Sequence, residues 1–411
     1  MSKNVILLSI DALRPDRLGC GGYHDINTPN IDEIAAHGTI YDRCITASCL
    51  TPVSMSSVMT AKYPSKHGLR NPFGQISAVT VAELFKNKGY ATAGYTGINF
   101  LSRRCGFHKG FDVWDEPTDE TGWFQKKYKT QDGAGEMTTN WGNWWPPKMM
   151  EFIQQNQDKP FFVWGHYFEV HFHAEKWMLQ QGMLEEGVLS DNAYYDAKVK
   201  YLDEHVIGPL NQYLKDNGLW EKTMMIFMSD HGETMMHNPG LALKDMGEDY
   251  PKHRTMSQSD LTSTLIMTHV RQPGSRDKNL VRTIDVVPTI LDVCFGEGIW
   301  DADGQSLRNN YLSQPAYSEE LFEKRGAGAL QAVQNNRFKF IRNNTTHTEE
   351  LYDLREDPNE KNNIVSEPSS QGNNRVCREL LNKHLTNPGQ SAFAPEDEAI
   401  VLQKLKELGY I

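Results

Sequence analysis

The feature that most limits the fold is a set of apolar runs that each stop at an acid or a histidine. Residues 4–11 read NVILLSID, residues 160–173 PFFVWGHYFEVHFH, and residues 223–233 TMMIFMSDHGE. Runs this short and this apolar suit strands covered on both faces. Helical patterns lie between them. NTPNIDEIAAHG opens on Asn27 or Thr28 as N-cap with Pro29 in the first turn, TVAELFKNKG leads into the strand YATAGYT, and YYDAKVKYLDEHVIGPLNQYLKDNG is long and amphipathic. Strands alternating with helices predict an α/β fold with a large, mostly parallel sheet flanked by helices. Ligands in such sheets sit beyond the carboxyl ends of the strands. Asp11, the Tyr95–Thr96 pair, Glu169 with His171, and Asp230 with His231 all fall at such ends, so the architecture gathers them on one edge.

Two regions depart from this pattern. Residues 117–150 are rich in Gly, Thr and Trp (Trp123, Trp141, Trp144, Trp145) and read as an insertion or lid. From about residue 305 short antiparallel strands are expected in AYSEELF, LQAVQNNRFKFIRN and TEELYDL, with a closing helix in EDEAIVLQKLKELGYI. The expected division is a catalytic domain over 1–304 and a smaller C-terminal α+β subdomain over 305–411.

The chain's 411 residues carry a net charge of −11, which argues against a nucleic-acid binder but not against an anionic substrate beside a cation. Val5–Ile10 is too short to cross a bilayer and no small-residue cleavage site follows it. The six cysteines (20, 44, 49, 105, 294 and 377) form no CxxC pair, so neither a zinc cluster nor a disulfide framework is expected. A cytoplasmic protein without membrane or nucleic-acid partners follows as the expectation, with homo-oligomerisation left open. The sequon at Asn344 is discounted for want of a secretion signal.

The adjacent Asp230 and His231, followed by Gly232, offer oxygen and nitrogen ligands to a divalent metal. The plainer reading is a hydrogen-bonded turn, and for Asp11 an N-cap. Several acids and imidazoles on one edge would repel or stay unpaired unless a cation joined them. The stretch SCLTPVSMSSVMTAKYPSKHG, residues 48–68, crowds hydroxyls at an apparent helix start. Thr51 there is either a cap or an attacking group.

At these residues the chain resembles the sulfatase family of the alkaline phosphatase superfamily. The resemblance runs through NVILLSIDALRPDRLGCGGY, TPVSMSSVMTAKYPSKHG, SDHGE, RTIDVVPTILDV, DGQSL and EELYDLREDPNEKNNI in family order. It implies an alkaline phosphatase-like fold and places Thr51 where the family has the Cys that becomes formylglycine. Ser54 matches a small hydroxyl, Met55 replaces an Arg, and Cys49 lies two residues early, so no formylglycine is expected. Asp11, Thr51, Asp230 and His231 match the metal site of the single-metal phosphonate monoester hydrolase branch, with Ala12 in the slot of a second Asp. Mixed oxygen and nitrogen ligation favours Mn²⁺ or Zn²⁺ over Ca²⁺ or Mg²⁺.

The resemblance also makes His171 a leaving-group proton donor or a contact to a substrate oxygen, with His253 as a second candidate for assisting the leaving group. Glu169, His173 and His253 match a second metal site; for His166 and His173 a plain hydrogen bond at the sheet edge is an equal reading. Lys62 and His67 would orient or contact the nucleophile, and Asn71, Tyr95 and Thr96 would touch substrate. The Trp-rich insertion is read as lid packing or as a cage for a quaternary ammonium group. With Thr in place of formylglycine, the expected activity is hydrolysis of a small phosphodiester or phosphonate monoester. The alternatives are a sulfatase working without formylglycine and a silent, anion-binding relative.

Overall fold

The computed structural model describes residues 3–72, 74–116, 128–129, 136–137, 145–171, 191–234, 255–296, 298, 301–308, 311–321 and 329–384. The predicted strands form as β1 (Asn4–Ile10), β3 (Ala91–Thr96), β5 (Phe161–Tyr167) and β6 (Thr223–Ser229), and four strands not read from the sequence join them: β2 (Gly38–Ile45), β4 (Val113–Asp115), β7 (Leu265–Thr268) and β8 (Ser275–Arg282). Their order across the sheet is β8-β2-β7-β6-β1-β5-β3-β4, and the two-residue strand Thr262–Ser263 adds to β2. All pairings along that order are parallel except those of β7, which runs antiparallel to both β2 and β6.

Two helical layers cover the sheet. Strand alternation sends Ile6, Leu8 and Ile10 of β1 to one face, against α1 (Pro29–Ala36), α4 (Trp145–Gln155), α5 (Asp191–Leu202) and α6 (Gly208–Asp216). Val5 and Leu7 point to the other face, against α2 (Thr51–Thr60), α3 (Val81–Asn87) and α7 (Val286–Phe295). The long amphipathic stretch is one helical rod with a π segment, Asp203–Ile207, between α5 and α6. That wider turn falls just before Pro209, which has no N–H to continue the α-helical ladder. Helix α3 begins with a capping box in which Thr80 and Glu83 satisfy one another's backbone N–H groups. Thr28 stands at the N-cap of α1, but its hydroxyl accepts from Gly19 N and donates to Asp32.

The smaller subdomain is an antiparallel meander of β9 (Ala316–Glu320), β10 (Leu330–Gln334), β11 (Phe338–Asn343) and β12 (Thr348–Asp353), covered by α8 (Gln371–His384). It is fastened to the larger unit by a buried, bidentate Arg70–Glu319 pair and by the hydrogen bond from Glu319 N to the Ala47 carbonyl. Trp145 corrects the expected extent of the insertion: it begins α4 and packs in the core against Gly165. Trp123, Trp141, Trp144 and the helix expected at 396–411 lie outside the described residues.

Candidate active site

The site follows from register. Strand β1 is flanked by β6 and β5, both parallel to it, with Ser9 level with Met228 on one side and His166 on the other. Val5 and Leu7 face α2, so Ser9 and Asp11 continue that face past the strand end; Phe162 and Trp164 lead likewise to His166, and Ile226 and Met228 to Asp230. Three neighbouring strands therefore deliver Asp11, His166 and Asp230 to one spot beneath the start of α2. All three are fully buried, and their ligand atoms lie within 4.8 Å of one another.

The hydrogen bonds aim these groups. Asp230 Oδ1 accepts from Ala12 N and His231 N at 3.1 and 2.8 Å, which turns Oδ2 toward the cluster. Ala12 adopts a left-handed φ of 57° to make its bond, a strained conformation for a residue with a Cβ. His231 donates Nδ1–H to the Gly232 carbonyl at 2.8 Å, so the ring, once Nε2 gives up its proton, presents a lone pair there. That Nε2 lies 3.4 Å from Asp230 Oδ2 and 3.7 Å from Asp11 Oδ1. His166 Nδ1 sits 2.8 Å from Ser9 Oγ, which also accepts the Trp164 indole N–H, and its Nε2 lies 3.7 Å from Asp11 Oδ2.

Asp11 Oδ1, Asp230 Oδ2 and His166 Nε2 are buried without a hydrogen-bond partner. Leaving one such group unsatisfied costs about 1–3 kcal/mol, more when it is charged. Three at one point form a donor set lacking its acceptor, and a divalent cation fits it. The electrostatics agree. Burial raises the Asp230 pKa and the neighbouring Asp11 charge adds to it. Burial also opposes ionisation of Asp11, yet the nearby His166 imidazole and the charges of His171 and His231 hold its pKa below the usual range. Burial disfavours a charged His231, but the Asp230 and Asp11 carboxylates outweigh that and raise its pKa to about 9. Two carboxylates with opposed shifts are a pair that cannot both ionise comfortably without a positive charge between them.

Thr51 begins α2 and completes the cluster. Its Oγ1 lies 3.3 Å from Asp11 Oδ2 and 3.2 Å from His231 Nε2. Every residue of α2 is buried. Ser54, one turn on, donates to the Asp230 carbonyl at 2.7 Å and lies 2.7 Å from Thr46 Oγ1, so this helix and the end of β6 brace each other. Met55, at the position of the family's Arg, lies in the core.

The other expected residues divide by place. His171 reaches the rim, where Nδ1 lies 3.2 Å from Glu233 Oε2, and it is near enough for its charge to act on Asp11. Glu233 escaped the sequence reading, although it closes the quoted SDHGE. Glu169 is buried just past β5. His173 and His253, its partners in the expected second metal site, lie outside the described residues. Thr96 shares the face and register of His166, but its hydroxyl is spent on the Leu101 carbonyl. Tyr95, one residue earlier, points to the opposite face, where its hydroxyl donates to the Lys148 carbonyl. Lys62 lies beyond the far end of α2, a ten-residue helix about 15 Å long that begins at Thr51, and pairs with Asp301 at 2.5 Å. His67 is buried beneath α2: Leu69 N donates to its Nδ1, its Nε2 meets Ser57 Oγ at 2.9 Å, and burial lowers its pKa to about 3. Asn71 is half-buried in a turn, where its carbonyl accepts from Gly74 N.

A family model described as sulfatase matches residues 3–296, and one described as N-sulphoglucosamine sulphohydrolase, C-terminal, matches residues 248–387. An ulvan-active sulfatase of Formosa agariphila is 24% identical, over 89% of this chain and 76% of its own. A protein solved in complex with its substrate D-glucosamine-2-N,6-O-disulfate superposes with a TM-score of 0.73 at 18% identity, covering 93% of this chain and 97% of that one. The phosphonate monoester hydrolase of Agrobacterium radiobacter superposes with a TM-score of 0.71 at 17% identity, covering 93% and 96%. Both structural likenesses show the fold alone. The expectation of a phosphodiester or phosphonate hydrolase is therefore overturned, because both family models and the matched curated relative are sulfatases. A Thr at position 51 does not by itself decide between phosphate and sulfate esters.

Proposed function

The chain belongs to the sulfatase family, and from that premise we propose that it hydrolyses sulfate esters of carbohydrates with Thr51 as the attacking group and a divalent ion beside it. The observation that carries this reading is a cluster of three orphaned buried ligand atoms with the Thr51 hydroxyl beside it, 3.3 Å from Asp11 Oδ2 and 3.2 Å from His231 Nε2. The carbohydrate is suggested by the ulvan-active relative and by the sulphoglucosamine family model.

Asp11, His166, Asp230 and His231 would hold the ion, which when bound supplies positive charge to the sulfate oxygens and favours ionisation of the hydroxyl beside it. The residues of the chain do the rest. Thr51 Oγ1 attacks sulfur while its proton has Asp11 Oδ2 at 3.3 Å. The bond from sulfur to the sugar oxygen breaks as His171, positioned by Glu233, protonates that oxygen. Water then attacks the threonyl sulfate at sulfur, and the Thr51 oxygen departs and regains a proton. The start of α2, which has no side-chain cap, favours the anion through the helix dipole in both stages.

The test is release of inorganic sulfate from sulfated saccharides by the purified chain. Steady release that is lost in Thr51→Ala and after chelation supports the reading. Unchanged release in Thr51→Ala removes Thr51 from the chemistry.

A further inference from the structure

We propose that His166 is a direct ligand of the metal centre and that it makes the centre select an imidazole-preferring first-row ion such as Zn²⁺ over Ca²⁺. This deepens the reading above and rests on the cluster holding a divalent cation.

Ala12 follows Asp11 at the end of β1, where its backbone N–H serves Asp230 and its carbonyl accepts from Tyr195, but its side chain offers no donor. The side of the cluster toward β5 is instead filled by imidazole. His166 lies level with Ser9 across the β1–β5 pairing, and the Trp164–Ser9–His166 chain of hydrogen bonds fixes the ring. This leaves Nε2 fully buried, without a partner, and 3.7 Å from an oxygen of Asp11. A histidine that only tied β5 to β1 would need its Nδ1 bond alone and would not have its second nitrogen in a box of carboxylates. With His231 Nε2 on the opposite strand, the set becomes two carboxylates and two imidazoles. Imidazole nitrogen suits zinc and neighbouring ions, whereas Ca²⁺ takes six to eight oxygens.

The experiment uses the full chain, stripped of metal and reloaded. Zn²⁺ and Ca²⁺ affinities are measured by competition with a chromophoric chelator, Co²⁺ is followed by its visible spectrum, and folding by circular dichroism. His166→Asn should weaken Zn²⁺ at least tenfold and change the Co²⁺ spectrum, and His166→Asp should shift the preference toward Ca²⁺ at least tenfold. Pulsed electron paramagnetic resonance of the Cu²⁺-loaded wild type counts coordinated imidazoles and needs no variant: two support the proposal and one overturns it. Unchanged Zn²⁺ affinity in a folded His166→Asn, with binding abolished in Asp230→Asn, also overturns it while leaving the metal reading intact. A wild-type chain that binds no ion would sink the metal reading itself, and this proposal with it.

Discussion

The Thr51 hydroxyl lies 3.2 Å from Nε2 of His231, a residue 180 positions along the chain. A helix start and a strand end meet there with no solvent between them. Replacing Thr51 by Ala should abolish turnover without unfolding the chain, since only a hydroxyl and a methyl are lost. Thr51→Ser should retain a measurable fraction. During turnover of a ³⁴S-labelled sulfate ester, acid quench and peptide mass analysis should find labelled sulfate on the Thr51 peptide. Its absence under burst conditions would argue for direct attack by water.

His171 and Glu233 form an imidazole–carboxylate pair at the rim. If this pair delivers a proton to the leaving oxygen, its loss should depend on how poor the leaving group is. Glu233→Gln and His171→Asn are expected to slow sulfated sugars by about 10²–10⁴-fold, the usual span for general acid catalysis. An aryl sulfate with an acidic phenol should be slowed far less. Equal losses on both substrates would assign the pair a structural part.

Removing the ion should destabilise the protein. Binding to the folded state alone contributes about 2.7 kcal/mol when free ion is one hundred times its Kd. Chelation should therefore lower the Tm by several degrees, and Asp230→Asn should abolish this response. The substitution should also raise the Tm of the ion-free chain, because Asp11 and Asp230 then no longer repel.

Acid should unfold the chain for a reason remote from the site. His67 and His384 are held neutral mainly by burial, with pKa values lowered to about 3 and about 4. In the unfolded chain both titrate near 6.5, so the unfolded state binds more protons as pH falls. Their combined effect is to lower stability as pH drops from about 6.5 toward 4, by about 1.4 kcal/mol per pH unit for each residue. Urea midpoints measured across that window should fall steeply, and less steeply in His67→Gln. A slope unaffected by that substitution would refute the assignment.

The fold and most of the edge were legible because both are local signals. Apolar runs end at acids, and the helices carry caps such as Thr80 with Glu83. What stayed hidden depended on register. That Tyr95 turns away while Thr96 stays follows only once β3 is placed beside β5. The sequence alone does not decide between a metal ligand and a plain hydrogen bond for His166, for the same reason. The alternation Phe162, Trp164, His166 gives its face, but its nearness to Asp11 needs the pairing of Ser9 with His166. Lys62 failed on distance, since a helix separates it from the residue it was meant to assist.

Helix α2 has no solvent-facing side. A surface helix could fray and re-form while the remainder of the molecule persisted, but this one cannot loosen without opening the apolar layer above the sheet. Heat should therefore extinguish turnover and cooperative structure at the same temperature, with no interval in which an intact body carries a dead centre.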